Sequence, residues 1–295
     1  MHEAAKRLGY RRDLRAVNLR TGKTNVIFAI ITARTLDEYG DPSVMLMIQG
    51  LIEGVAGTDK TVILLPSNSF EAQLDIIHDA VEGNRCDGII LDHTMPQDLR
   101  VKYLLEKEFP FVTFGRTELF TPHAFVDIDN NHAAKAATTE MISRGFKRIA
   151  LLTPPPIYLF SGHYNAGYKL ALDEHKLPID DELIVQVQLD TKTTTDVVNK
   201  LMSLDNPPDA FVFPNEVVAI AAIEACDRLN LDISKLGFIS RDGTHLFDYF
   251  RPAVSSCYFS SFDVGKELST VMLKLLKSEP VETLQFLEKT TLLSR

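Results

Sequence analysis

Cysteine is scarce in this chain, and its three residues, Cys86, Cys226 and Cys257, form an odd set with wide spacing. They build no CxxC pair, which excludes the usual zinc-ribbon and redox motifs and suits a reducing compartment. Long apolar runs are also missing. The apolar runs, such as residues 26–31 and 149–152, are strand-sized, far from the roughly 18 residues a membrane-crossing helix needs. Basic residues near the start are not followed by an apolar stretch, so neither an export signal nor a membrane partner is expected, and the location expected is cytoplasmic. No segment is of low complexity. A phosphate-cradling GxGxxG or GxxxxGK[ST] loop is absent, as are the GxSxG, HExxH and kinase signatures. The eight histidines are scattered, with no pair at metal-binding helical spacing. These absences lead to the expectation of a non-enzyme without metal or cofactor.

What is present is an ordinary globular composition, 45% apolar and 24% charged, with a strongly uneven charge. Residues 1–25 carry seven cations (Lys6, Arg7, Arg11, Arg12, Arg15, Arg20, Lys23) against Glu3 and Asp13, an excess of five, and with −9 overall the remainder carries −14. A basic arm on an acidic body suits an arm that approaches a polyanion such as DNA; charge by itself fits a solvated terminus equally well.

Hydrophobic periodicity divides the rest. Residues 25–32 read as a buried strand, and 43–57 carry Val44, Met47, Ile48, Leu51 and Val55 at helical spacing. Strands at 61–66, 87–91 and 111–114 alternate with helices at 71–82 and 99–108. The pattern then restarts with helix 133–144, followed by strands 148–153, 183–187, 210–213 and 236–240 and helices 164–175, 194–204 and 216–229. Near-continuous apolar strands separated by helices imply parallel sheets covered on both faces. Two successive series in 295 residues imply two doubly wound α/β lobes, with a ligand cleft beyond the carboxyl ends of their strands. A last strand (255–259), a helix (263–277) and a tail are too few for a third lobe and are expected to complete the first two.

The run AAKRLGYRRDLRAVNLRTGKTNVIFAII, from Ala5 onward, resembles the junction of headpiece and core in LacI/GalR transcription regulators. Leu8, Gly9 and Tyr10 match the end of the last headpiece helix, while Ala16, Leu19, Thr21 and Gly22 match the hinge. Further landmarks follow in order: Cys86-Asp87-Gly88-Ile89-Ile90, Asp129-Asn130, Arg144-Gly145-Phe146-Lys147-Arg148-Ile149, Gly167-Tyr168 and Asn215-Glu216. The resemblance implies two periplasmic-binding-protein-like (type I) lobes. Their expected bounds are 25–131 plus 257–287 and 132–256 plus 288–295, behind a headpiece remnant at 1–12 and a hinge at 13–24. It also implies a regulator that takes a small effector, commonly a sugar, and passes the event to operator DNA. Leu19 would wedge into the minor groove, with Arg15 and Arg20 near phosphates; packing of Leu19 on the core is the plain alternative. A solute-binding protein serving a transporter shares the fold and is the second reading.

For the effector site, the resemblance carries over Asn215, which opens a helix, and Asp242, which follows a strand; both could equally act as caps. Elsewhere the chain departs from the family. Gly115 and then Arg116 stand where an aspartate is common, Tyr164 beside His163 where an arginine is common, and Phe259 where a polar residue is usual. Arg241 replaces an aromatic, and the loop 33–41 brings Arg34, Asp37, Glu38 and Tyr39. Arginines at 34, 116 and 241 favour an acidic or phosphorylated ligand unless they face solvent or pair with Asp37 or Asp242; a neutral sugar is the first expectation. A catalytic His163–Tyr164 pair is the weaker reading of those two residues, and Asp127-x-Asp129 reads as a solvated strand edge. A homodimer is implied, because one hinge cannot meet a pseudo-palindromic operator symmetrically. Ile220, Leu246, Tyr249 and Phe250 are its candidate contacts, with Met45 on the first helix.

Overall fold

The computed structural model describes residues 22–33, 37, 41–251 and 253–295. The headpiece remnant, the hinge residues Arg15, Leu19 and Arg20, and Arg34 lie outside them. The first half runs β1 (Val26–Thr32), α1 (Pro42–Gly54), β2 (Thr61–Ser67), α2 (Phe70–Glu82), β3 (Gly88–Leu91), α3 (Leu99–Glu106), β4 (Phe111–Phe114) and β5 (Ala124–Ile128). The second runs α4 (Asn130–Ser143), β6 (Ile149–Thr153), α5 (Leu159–Glu174), β7 (Ile184–Gln186), α6 (Thr191–Met202), β8 (Ala210–Phe213), α7 (Glu216–Arg228), β9 (Gly237–Asp242) and β10 (Ser255–Tyr258). Then α8 (Ser261–Leu275), β11 (Gln285–Glu288) and β12 (Thr291–Leu293) close the chain.

Two six-stranded sheets result, ordered β11-β5-β4-β3-β1-β2 and β12-β10-β9-β8-β6-β7. Every strand pair is parallel except β10 with β12. The chain crosses between sheets three times, after β5, after β10 and after β11. Because β10 pairs with β9, the second crossing falls at 259–260 and not at 256–257. The short strand β5 was expected only as a solvated edge around Asp127, and β11 and β12 only as a tail.

Helices begin where a side chain caps them. Asp129, Asp190 and Asn215 accept from the backbone N–H of His132, Thr193 and Val218, satisfying one of the N–H groups a helix start leaves unpaired. The Asp129 and Asp190 caps start α4 and α6 three residues before the expected starts at 133 and 194. Each sheet is covered on both faces. Ile27, Ala29, Leu51 and Val264 lie in one core of the first lobe, and Ile30, Ile77 and Leu104 in the other. Phe211, Phe213 and Phe238 stack in one core of the second lobe, and Ala133, Tyr164 and Tyr168 lie in the other.

In both lobes a helix pair closes over the sheet through a residue without a side chain. A Cβ on Gly265 of α8 would lie 2.0 Å from the Met47 carbonyl oxygen of α1, and one on Gly167 of α5 would lie 2.1 Å from the Asn131 carbonyl oxygen of α4. Only glycine lets those backbones approach so closely.

Candidate effector cleft

Between the lobes lies a cleft enclosing about 970 Å3, part of it open to solvent. Its floor and walls come from the carboxyl ends of strands and the loops after them. Residues 92–94 follow β3, 114–116 end β4, Asp127 closes β5, Pro214 to Glu216 follow β8, and Arg241 ends β9. Phe160 on α5 and Phe259 and Ser261 at the second crossing complete it, facing Asp41, Ser43 and Val44 at the start of α1. A parallel sheet directs its strand ends here, which is why open α/β sheets bind ligands at this edge.

The first-lobe wall is an ionic lattice. Asp92 accepts from the Thr32 backbone N–H at 3.0 Å and from its hydroxyl at 2.6 Å, and lies 3.1 Å from His93 Nδ1. Burial on its own raises the Asp92 pKa, but His93, Thr32 and Arg100 outweigh it and hold the carboxyl below its ordinary range. Behind this loop Arg100, 1% exposed, pairs with Asp98 at 2.6 Å and bonds Gln73 Oε1. It also donates to the carbonyls of Asp92 and His93 at 3.1 and 3.2 Å. His93 is thereby held at φ 49°, a left-handed conformation that non-glycine residues seldom adopt.

Arg116 is neutralised inside the protein. Its Nε donates to Asp127 Oδ2 at 2.7 Å, and its Nη2 meets His163 Nδ1 at 3.3 Å. Burial raises the Asp127 pKa, with Arg116 opposing. Burial also lowers that of His163, and Arg116 adds to the effect. Asp127 is therefore no solvated strand edge: it is 4% exposed and part of the cleft, whereas Asp129 caps α4.

Arg241 has a different environment. Its Nε donates to the Pro214 carbonyl at 3.1 Å and its Nη1 to Asn130 Oδ1 at 2.7 Å. Its guanidinium lies 5.6 Å and 5.4 Å from the ring centres of Phe160 and Phe259. It pairs with neither Asp242 nor any other carboxylate among the described residues. Nearby, Glu216 Oε1 accepts from the Gly243 N–H at 2.8 Å and from the Thr244 hydroxyl at 3.1 Å. Burial, then Asp41 and Asp242, push Glu216 up to about 8.

Of the residues expected at the site, Asn215, Arg116, Arg241 and Phe259 line the cleft. His163 touches it through Arg116. Two stand elsewhere. Tyr164 is buried in the second-lobe core, its hydroxyl donating to the Phe213 carbonyl at 2.6 Å, which rules out a catalytic pairing with His163 in this geometry. Asp242 is 0% exposed; its Oδ1 accepts from the N–H groups of Thr244 and His245, while its Oδ2 is buried without a partner among the described residues. It shapes the turn behind the wall. Sequence reasoning passed over Asp92, His93, Asn130, Phe160, Glu216 and Asp41. Asp92 alone carried a signal, as an acid at the end of an apolar strand.

The lobes touch across the opening: Leu159 N–H donates to the Thr94 carbonyl at 3.1 Å, and Thr191 N–H to Asp37 Oδ2 at 2.7 Å. Two mirrored parallel sheets with a polar, aromatic-rimmed cleft at their carboxyl edges define a two-lobed solute-binding core. Residues 34–262 match the family described as periplasmic binding proteins and sugar binding domain of LacI family. The chain belongs to that family, and sequence relatives named as HTH-type transcriptional regulators are among its matches. It is 27% identical to the HTH-type transcriptional regulator RafR of Escherichia coli over 285 residues, covering 95% of this chain and 83% of that one. It is 28% identical to catabolite control protein A of Priestia megaterium over 289 residues, covering 95% and 84%. Among solved structures, a LacI-family regulatory protein of Chloroflexus aggregans superposes with a TM-score of 0.82 at 24% identity, covering 92% of this chain and 97% of that one. The transcriptional regulator CelR in complex with cellobiose superposes with 0.84 at 19% identity, covering 100% and 88%. The last two likenesses concern the fold.

Proposed function

We propose that this chain is the effector-sensing core of a LacI-type transcription regulator and takes a small, hydroxyl-rich solute, a sugar or sugar derivative, between its lobes. One observation carries the reading. The cleft combines aromatic walls, Phe114, Phe160 and Phe259, with fixed polar side chains from both lobes, among them Asp92, Asn130 and Asn215. Aromatic faces cover the apolar side of a sugar ring, and pre-placed polar groups satisfy hydroxyls that are costly to bury unpaired. The role is binding without turnover, and the relatives, which are transcription regulators, support it. The complex of CelR with cellobiose, a disaccharide held by a chain of the same fold, supports the ligand class.

Effector binding would shift the closure of the lobes and so the grip of an attached headpiece on operator DNA, through a hinge holding Arg15, Leu19 and Arg20. Such coupling typically amounts to about 1–3 kcal/mol and is reciprocal. Two copies would pair side by side. Exposed apolar side chains support this: Met45 and Ile52 on α1, and Tyr249, which is 84% exposed, next to Leu246. Ile220 and Phe250 pack partly on their own core, leaving them a smaller share.

A thermal-shift screen of neutral sugars, sugar acids and nucleosides tests the reading. A ligand at 100 times its Kd adds about 2.7 kcal/mol of stability, and Asn215→Ala should remove most of the shift. If no solute shifts the melting temperature, the cleft is not an effector site. Light scattering of the Tyr249→Glu variant tests the pairing, with a monomer as the expected result.

A further inference from the structure

The two arginines of the cleft differ in whether their charge is already answered. Arg116 has Asp127 at 2.7 Å. Arg241 has only neutral acceptors, the Pro214 carbonyl and Asn130 Oδ1, and its other guanidinium N–H groups meet no acceptor among the described residues. Phe160 and Phe259 stand on its flanks. A half-buried cation without a counter-charge is costly, and a fork of N–H groups matches the oxygens of a carboxylate or phosphate. We propose that Arg241 is a specificity-determining residue that binds an acidic group of the effector, so that the solute is a sugar acid or a phosphorylated sugar. This rests on reading the cleft as the effector site.

The neighbouring carboxylates do not answer Arg241. Asp92 is engaged by Thr32 and His93, and Asp127 by Arg116. Asp41 accepts from Ser43 N–H as the cap of α1, and Asp242 receives two backbone N–H groups. Glu216, its pKa raised by burial, accepts from the Gly243 N–H and the Thr244 hydroxyl. The position is informative because the resemblance places an aromatic residue there. At the end of β9 a ring would add only another apolar wall.

Inorganic phosphate and acetate, each titrated calorimetrically into the full chain in chloride buffer, probe the two forms of the anion. At least one should bind, and Arg241→Met should weaken it about tenfold or more, the loss expected for charge-assisted hydrogen bonds. Arg241→Lys, which keeps the charge but not the fork, should fall between. Arg228→Met, which removes an equal charge from the far end of α7, should change nothing, and circular dichroism confirms that each variant folds. Preference for phosphate points to a phosphorylated sugar, preference for acetate to a sugar acid. The proposal is overturned if neither anion binds, or if Arg241→Met binds both as well as the parent. It is also overturned if a neutral sugar from the thermal-shift screen binds the Arg241→Met variant undiminished; that result would leave the cleft itself an effector site, whereas no shift with any solute would remove the cleft reading.

Discussion

In the first lobe the loop facing the cleft is bound from behind by a fully buried arginine, Arg100; in the second lobe the matching wall hangs on the hydroxyl of Tyr164 and on stacked phenylalanines. The two sheets have the same strand order once the returning strands β11 and β12 are matched, so topology does not cause the difference. Ions can be fixed in a low-dielectric interior only when each charge and each N–H has a partner, and the first lobe supplies them: Asp98, Gln73 and two carbonyls around one guanidinium. The second lobe aims its wall with close apolar packing, the Tyr164 hydroxyl and a turn whose N–H groups are held by Glu216 and Asp242. One binding cleft thus joins a wall that is electrostatically pinned to a wall that is packed into place.

The comparison can be broken most directly at Arg100. Arg100→Met leaves Asp98 as a buried charge without its partner and should cost about 3–5 kcal/mol in urea unfolding. Adding Asp98→Asn should recover much of that, since it removes the orphaned charge. A loss below about 1 kcal/mol, the range of a surface pair, would show that the first lobe does not depend on the ion network. Next in size are the two glycine contacts. Gly265→Ala and Gly167→Ala each force a methyl group against a backbone carbonyl and should cost about 1–3 kcal/mol; equal losses would show that the lobes share this device although their walls differ. A smaller effect is expected for Tyr164→Phe, which orphans the Phe213 carbonyl: about 1 kcal/mol, read from the urea midpoint. Arg100→Met should exceed it several-fold.

Two titrating groups sharpen the contrast by pH. Burial lowers His123 of the first lobe to about 4, where its ring stacks on Phe111 and its Nε2 meets the Thr113 hydroxyl. The unfolded chain binds that proton first, so stability is full above about pH 6.5 and falls as pH drops towards 4. Glu216 of the second lobe has the opposite sign. It is raised to about 8, so the folded state binds the extra proton and stability declines as pH rises from the ordinary glutamate range through 8. Melting curves of Glu216→Gln should lose that decline while keeping the acid limb; an unchanged alkaline limb would mean that Glu216 is ionised at neutral pH.

How far the sequence was legible differs between fold and site. Strands β1, β3, β4 and β8 were readable because they are mostly buried and therefore mostly apolar. β5 was not, because Asp127 breaks its run with a charge that only a partner from β4's loop makes tolerable. Helix starts were missed by up to five residues, as in α5, which begins at Leu159 with no side-chain cap to mark it. At the site, Asn215, Arg116, Arg241 and Phe259 could be placed because each sits at or just past a strand end. Tyr164 could not, because nothing in its neighbours tells whether a tyrosine on a helix turns to a cleft or to the sheet beneath.

The sequence by itself determined two α/β lobes of parallel strands, because hydrophobic period is a local property, and the order of its landmarks carried the resemblance to the family. Only the tertiary structure decided which charges are free. Whether Arg116 or Arg241 has a carboxylate beside it depends on residues from other elements, Asp127 and Asn130, arriving within a few ångströms, and such proximity is fixed by packing and not by order along the chain.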